Sequence, residues 1–385
     1  MRFADNRNKI GKYIPAVVFL IFIYGMALWF IFSPKPDYSS SEKRYLQKFP
    51  EVTAEKLLSG DFGSEFETFF ADRFPQRNTW VGLNAYTALA VGNNGASGVY
   101  NCKNGYLINK PVSTENNLDK NIGAVADFAK SIDTPTTVML VPSTGYIVDD
   151  VLPTFHDKYN DDEDISKISS TLSKDKIGFV DLRERFKSEY KNGNQLYYKT
   201  DHHWTTKGAY TGYQELCKAL GITPIDDSTL KKDSYPDFYG TTYSSSGFWL
   251  TPPDNIEIWN NPKNSDRNIS VKITEGANIK TSGSMYFTDH LKEDDKYPVF
   301  IDGNHALTEI TNTNAKNGTI LLIKDSFSHS LAPFLAENYS KVVLVDLRYY
   351  KESVSDLVTT YNPEQVVVLY GIDNLATDTD IVWLK

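Results

Sequence analysis

From Tyr13 to Phe32 the chain runs for 20 residues without a charged side chain. A helix of about 20 apolar residues crosses the hydrocarbon core of a bilayer, so this run dictates that everything after it folds as a body attached to a membrane. Tyr13, Tyr24 and Trp29 lie in or near its ends, where aromatic rings favour the interface, and Pro15 is tolerable in a first turn. A cleaved signal peptide has an apolar core of about 7–15 residues with a small-x-small site behind it. This run is longer and no such site follows, so the expectation is a single-pass signal anchor at residues 13–32. Arg2, Arg7, Lys9 and Lys12 against Asp5 give residues 1–12 a net charge of +3. Positive residues stay on the cytoplasmic side, which predicts a cytoplasmic tail and an extracytoplasmic C-terminal domain at the cell membrane.

The whole chain has a formal net charge of −9, so the part after residue 12 carries −12. An acidic body argues against nucleic acid as a partner. At 385 residues the chain can bury one large core or two ordinary ones. Cys102 and Cys217 fit no metal-binding spacing. They are either one disulfide or two separate buried thiols.

After the anchor, residues 33–95 read as a linker and a juxtamembrane helical region. A short charged helix is expected around Glu42–Leu46. Phe62, Phe66, Phe69 and Phe70, then Trp80, Leu83, Tyr86 and Leu89, recur at helical spacing, and Pro75 divides them into two helices. Residues 96–385 alternate strand and helix. Thr136–Val141, Gly178–Asp181, Val299–Ile301, Thr319–Ile323, Val342–Asp346 and Gln365–Tyr370 read as strands. Helices are expected from Ala209 to Leu220 with Gly221 as the stop, near Ser328–Glu337 and over Ser353–Tyr361. Near-continuous apolar strands between helices imply a buried parallel sheet, hence an α/β fold. Residues 225–300 break the rhythm and read as a β-rich insertion or a set of long surface loops.

Two short stretches carry chemistry. Asp201-His202-His203-Trp204 precedes the helix that starts near Ala209, with Asp201 or Thr205 as a candidate cap. In an extended segment Asp201 and His203 share a face and His202 points away. A carboxylate beside an imidazole fixes its tautomer and suits it to be the general base for an alcohol. Lys324-Asp325-Ser326-Phe327 follows a buried strand and opens a helix, so Ser326 stands where α/β sheets bind ligands, near unpaired helix N–H groups. Together these residues supply orienter, base and nucleophile. Asn304, Phe327, Arg348 and Tyr349 are candidate oxyanion or substrate contacts. His329 lies one helical turn past Ser326, and His202 is read as structural. No metal site and no cofactor are expected.

With these motifs the sequence resembles the DHHW family of bacterial cell-surface proteins, which is similar to the SGNH-like alginate O-acetylation proteins. The resemblance takes in the anchor, Glu42-x-Arg44, Asp72–Pro75, both motifs, Gly303-Asn304 and Asp346-Leu347-Arg348-Tyr349. It implies an SGNH-hydrolase-like sheet, with Ser326 as nucleophile, His203 as base and Asp201 as orienter. It also implies an O-acyltransferase that acetylates a cell-surface polysaccharide, supplied by a membrane-bound O-acyltransferase. Two departures from the wider SGNH pattern stand out: the Asp/His pair precedes the serine, and Lys324 stands where Gly is usual. An acetyl esterase with the same triad is the nearest alternative. A non-catalytic polysaccharide-binding or assembly protein is another, with the aromatic stretch 235–249 as its platform. A metal-dependent phosphoesterase needs further spaced Asp ligands that the sequence does not offer.

Overall fold

The computed structural model describes residues 2–112 and 117–384, with residues 2–12 described by backbone alone. The basic side chains behind the topology expectation therefore lie outside the described set. The chain forms two compact units, one up to Tyr86 and one from Thr87 onward.

The first unit begins with helix α1 (Arg2–Phe32), within which Tyr13–Phe32 is long and apolar enough to cross a membrane. Strands β1 (Tyr38–Ser39) and β2 (Arg44–Tyr45) form a small antiparallel pair. The charged helix expected around Glu42–Leu46 is absent: Arg44 is drawn into side-chain bonds with Glu42 and Asp72, which hold the backbone extended. Helices α2 (Ala54–Ser59) and α3 (Asp61–Asp72) follow. Pro75 then breaks the run before α4 (Arg77–Ala90), because proline offers no N–H to a helix interior.

The second unit starts with a three-stranded sheet, β3 (Gly95–Ala96), β4 (Val99–Asn101) and β5 (Leu107–Asn109). There follow α5 (Leu118–Ser131), β6 (Thr136–Val141), α6 (Thr144–Ile147), α7 (Asp161–Lys174), β7 (Gly178–Asp181), α8 (Arg183–Lys191) and α9 (Thr206–Leu220). Next come β8 (Lys231–Phe238), α10 (Thr241–Ser246), β9 (Asp254–Asn260), β10 (Ile269–Glu275), β11 (Asn278–Ser282) and β12 (Leu307–Asn312). The chain closes with β13 (Asn317–Lys324), α11 (Ser328–Leu335), β14 (Tyr339–Val345), α12 (Val354–Tyr361), β15 (Gln365–Gly371) and α13 (Ile372–Thr377).

The main sheet has eight strands in the order β11-β10-β12-β14-β13-β15-β6-β7. Its five strands from β14 to β7 are parallel, but β11, β10 and β12 are antiparallel, so the sheet is mixed where a parallel one was expected. The difference follows burial. Central strands such as β15 are buried along nearly their whole length, whereas β10 alternates buried Ile269, Val271 and Ile273 with less buried residues. That alternation suits an antiparallel edge with one wetter face. The stretch 225–300 is thus only partly separate: β10 and β11 extend the main sheet, and β8 and β9 pair with each other. Val299–Ile301 is not a strand. A tight turn over Tyr297–Val299 leads to Ile301 and Asp302 at φ of 49° and 66°, which no strand accommodates.

Cys102 and Cys217 are separate buried thiols, each pushed up to about 12 by burial. The sheet positions the site. The carboxyl ends of β13, β15 and β6 present Asp325, Asp373 and Ser143 at one edge.

Candidate active site

The Asp-His-His-Trp segment is the tip of a hairpin closed by an antiparallel bridge between Tyr197 and Trp204. Asp254 at the start of β9 holds this tip from below. Its carboxylate accepts from the N–H groups of Lys199 and Thr200 at 3.1 and 2.8 Å and from Thr200 Oγ1 at 2.7 Å. Thr205 caps α9, accepting from Gly208 N–H, while Gly221 at φ 69° ends the helix. Asp201 is not the cap.

Trp204 joins the two motifs. Its fully buried indole N–H lies 2.9 Å from both the Phe327 carbonyl and Ser330 Oγ, either side of the α11 start. On the other side Asp325 shapes the turn after β13. Its carboxylate accepts from Phe327 N–H (2.9 Å), Gly371 N–H (2.8 Å) and Asn374 Nδ2 (2.7 Å).

Between these loops lies a continuous hydrogen-bond chain. Asp201 Oδ2 is 2.7 Å from His203 Nδ1, and His203 Nε2 is 2.7 Å from Ser326 Oγ, 123 positions away in sequence. A carboxylate only accepts, so Nδ1 carries the ring proton and Nε2 of the neutral ring accepts from the Ser326 hydroxyl. Asp201 Oδ1 accepts from Thr241 N–H (2.9 Å) and Thr241 Oγ1 (2.6 Å). Residue 240 must be Gly for this approach, since a Cβ there would stand 2.0 Å from Asp201 Cβ.

The electrostatics follow from burial. Burial opposes ionisation of Asp201, but the two adjacent imidazoles more than offset it and hold the carboxyl well below its usual range. Burial, then the charge of His202, pushes His203 down to about 4, against the pull of Asp201. His203 is therefore neutral at pH 7 and free to accept a proton. Burial works against the charge of His202 too, yet Asp201 lifts its pKa above the ordinary value.

His202 does not point away as expected, because residues 201–203 bend instead of running extended. Its ring lies 3.9 Å from that of His203, and its Nδ1 donates to Thr241 Oγ1 at 2.7 Å. Asp201, His202 and His203 bring three potential metal-ligand atoms within 4.8 Å of one another. The ligand atoms of Asp201 and His203 and Nδ1 of His202 are already hydrogen-bonded within the protein.

Phe327 packs against His203 with ring centroids 5.1 Å apart, but its N–H is committed to Asp325. Ser328 N–H is likewise bound, to the Asp325 carbonyl. The helix start is thus less open to an oxyanion than the sequence suggested. Among the described residues the N–H of Ser326 makes no hydrogen bond.

Asn304, Arg348 and Tyr349 belong to a neighbouring network. Arg348 donates to Asp346 Oδ1 at 2.8 Å and to Asn304 Oδ1 at 2.9 Å, and its guanidinium lies 5.5 Å from the Tyr349 ring centre. Asp346 also accepts from Lys324 Nζ at 2.9 Å, and that ammonium donates to His329 Nε2 at 2.9 Å. His329 touches this network, not the Ser326 hydroxyl. The aromatic stretch 235–249 is no open platform: Phe238 and Phe248 are fully buried, and Tyr239, Tyr243 and Trp249 pack on one another.

The sequence reading missed Tyr297, Thr241, Asn374 and the role of Trp204. Tyr297 stacks on His203 with centroids 4.0 Å apart and planes at 12°, while its hydroxyl donates to the Ser326 carbonyl at 3.2 Å. No local pattern marks a tyrosine in a short buried turn as a partner of a ring 94 positions earlier. Gly240-Thr241 offered one signal, a glycine before a hydroxyl in a region with no need of a tight turn.

A family model described as DHHW protein matches residues 112–345, more than half of the chain. The chain belongs to the DHHW family. A DHHW family protein from Eubacterium siraeum superposes with a TM-score of 0.63 at 17% identity, covering 75% of this chain and 95% of that one. PatB1 from Bacillus cereus superposes at 0.60 with 21% identity, over 73% of this chain and 98% of its own. The O-acetyltransferase domain of Pseudomonas putida AlgJ gives 0.48 at 14% identity, over 75% and 95%. Among curated proteins none matches this sequence.

Proposed function

We propose that this DHHW protein is an extracytoplasmic serine O-acyltransferase that acetylates a cell-surface polysaccharide. The observation that carries the reading is the unbroken chain from Asp201 through His203 to Ser326 Oγ, both links at 2.7 Å. In this reading residues 13–32 anchor the chain, 33–95 form the juxtamembrane region, and the SGNH-like domain occupies 96–385.

His203 Nε2 takes the Ser326 proton as Oγ attacks the carbonyl carbon of an acyl donor, and the imidazolium stays paired with Asp201. Collapse of the tetrahedral intermediate passes that proton to the leaving group and leaves an acyl ester on Ser326. A sugar hydroxyl then attacks the ester carbonyl, gives its proton to His203, and Ser326 leaves with that proton restored to Oγ. The Ser326 N–H, with no internal partner, is the donor for the oxyanion. Acetyl-coenzyme A is cytoplasmic, so an extracytoplasmic site needs an acyl supplier in the membrane; a membrane-bound O-acyltransferase meets that need.

The test is to incubate the full chain with an activated acetyl ester, with and without oligosaccharide. Mass spectrometry should find acetyl on Ser326, absent from Ser326→Ala, and acetylated sugar should form. Acetate as the sole product in both cases would reject transfer in favour of hydrolysis. An active Ser326→Ala protein would reject the serine altogether.

A further inference from the structure

We infer that the aromatic face of the first unit lies in the membrane interface and is covered by lipid. This rests on the reading that Tyr13–Phe32 crosses the bilayer, and it adds a second, peripheral contact to that span. Phe30, close to the end of α1, touches Phe70 at 4.6 Å and Phe69 at 6.2 Å between ring centres. The rings continue from Phe70 to Phe74 at 5.6 Å and on to Trp80 at 6.4 Å. Phe49 joins the cluster from the other side, 5.4 Å from Phe69 and 6.0 Å from Phe66.

These rings face outward. Phe49 is 57% exposed, Phe66 41%, Phe70 42% and Trp80 42%, and Leu58 and Leu83 extend the apolar surface. A contiguous apolar patch of this kind is rare on a surface that meets only water. The opposite side of α3 is polar and closed: Asp72 is buried against Arg44 Nη1 at 2.9 Å. Arg73 donates to the carbonyls of Lys35 at 2.8 Å and Gln47 at 3.0 Å. That clamp fixes the end of α3 to the first residues beyond Phe32.

Position decides the occupant. A ring in contact with Phe30, inside the span, sits within a few ångströms of the hydrocarbon boundary. Interfacial helices bury an apolar face about 5–10 Å into the headgroup and acyl boundary, and tryptophan favours headgroup depth. Lys35 follows the same logic, its ammonium lying 3.7 Å from the centre of the Phe30 ring at the end of an apolar stem.

The experiment places single cysteines in the full chain and labels them with an environment-sensitive fluorophore in phosphatidylcholine vesicles. Cys102 and Cys217 are buried and stay unlabelled in the folded protein. Phe66→Cys, Phe70→Cys and Leu58→Cys test the face, Thr68→Cys the opposite side of α3, and Val18→Cys the span. Nitroxide on a shallow acyl carbon should quench labels at 58, 66 and 70 about threefold or more over the label at 68, and aqueous iodide should do the reverse. Iodide quenching at 66 and 70 equal to that at 68 overturns the inference, and so does protection of both from lipid and water alike. A Val18 label beyond reach of a deep nitroxide would instead reject the span. Quenching at Val18 without quenching at 66 and 70 rejects the surface alone.

Discussion

Two buried polar clusters flank the end of β13, rooted two residues apart at Lys324 and Ser326, and they use burial in opposite ways. Around Lys324 every charge is answered: Asp346 accepts from Lys324 Nζ at 2.9 Å and from Arg348 Nε at 2.8 Å. Both partners of the Lys324–Asp346 ion pair are almost wholly buried, while Arg348 reaches the surface. Around Ser326 the same burial leaves His203 neutral, its Nε2 ending the chain on a hydroxyl. Burial paired with a fixed counter-charge makes a strut. Burial paired with a neutral base and a hydroxyl bonded to it makes a group that can pass a proton. Under the proposed function, chemistry belongs to the second cluster and rigidity to the first.

The sharpest way to break that division is to substitute one carboxylate in each cluster. Asp201→Asn should lower the rate of acetyl-Ser326 formation by about 10⁴-fold with little change in melting temperature; the magnitude is taken from the corresponding change in chymotrypsin-type proteases. The amide cannot fix Nδ1–H against itself without offering a donor to a donor, so the ring turns or changes tautomer. Asp346→Asn should do the reverse. It leaves Lys324 without its full counter-charge in a dry site, for a loss of about 3–5 kcal/mol in chemical denaturation. Its acetylation rate, measured where the protein is still folded, should fall far less than that of Asp201→Asn. Equal rate losses would erase the distinction between the clusters.

How much of this was readable in sequence depends on the range of the forces involved. The strands Thr136–Val141 and Gly178–Asp181 match the structure because β-branched and apolar runs encode their own burial. The helix stop at Gly221 and the break at Pro75 are equally local. The pairing of Asp201 with His203 was also visible, being two residues long. The mixed sheet was not, because β10 finds its place by pairing with β12, later in the chain, and β11 joins the sheet only through β10. Nor was Tyr297, whose stacking on His203 is a tertiary contact without a spacing rule. The same applies to the lost helix at Glu42–Leu46, where Asp72 overrides local propensity from 28 positions away.

The finest comparison is within the Ser326 cluster, between its two stacked imidazoles. Their rings are 3.9 Å apart and both border Asp201, but burial and the charge of His202 hold His203 at about 4 while Asp201 lifts His202. The proton of the pair thus belongs to His202 at mildly acidic pH. In the proposed mechanism acetyl-Ser326 formation requires neutral His203, so the wild-type rate should hold from neutral pH down to about 5 and fall as pH passes through about 4. His202→Gln removes a positive neighbour. That change makes protonation of His203 easier, raises its pKa and moves the acid limb upward, from about 4 towards the ordinary imidazole value of 6.5. The plateau rate should change little, since Ser326 and Asp201 keep their bonds to His203. An acid limb that stays near 4 in His202→Gln would mean that burial alone keeps His203 neutral; a limb near 6.5 already in the wild type would mean that Asp201 outweighs burial from the start.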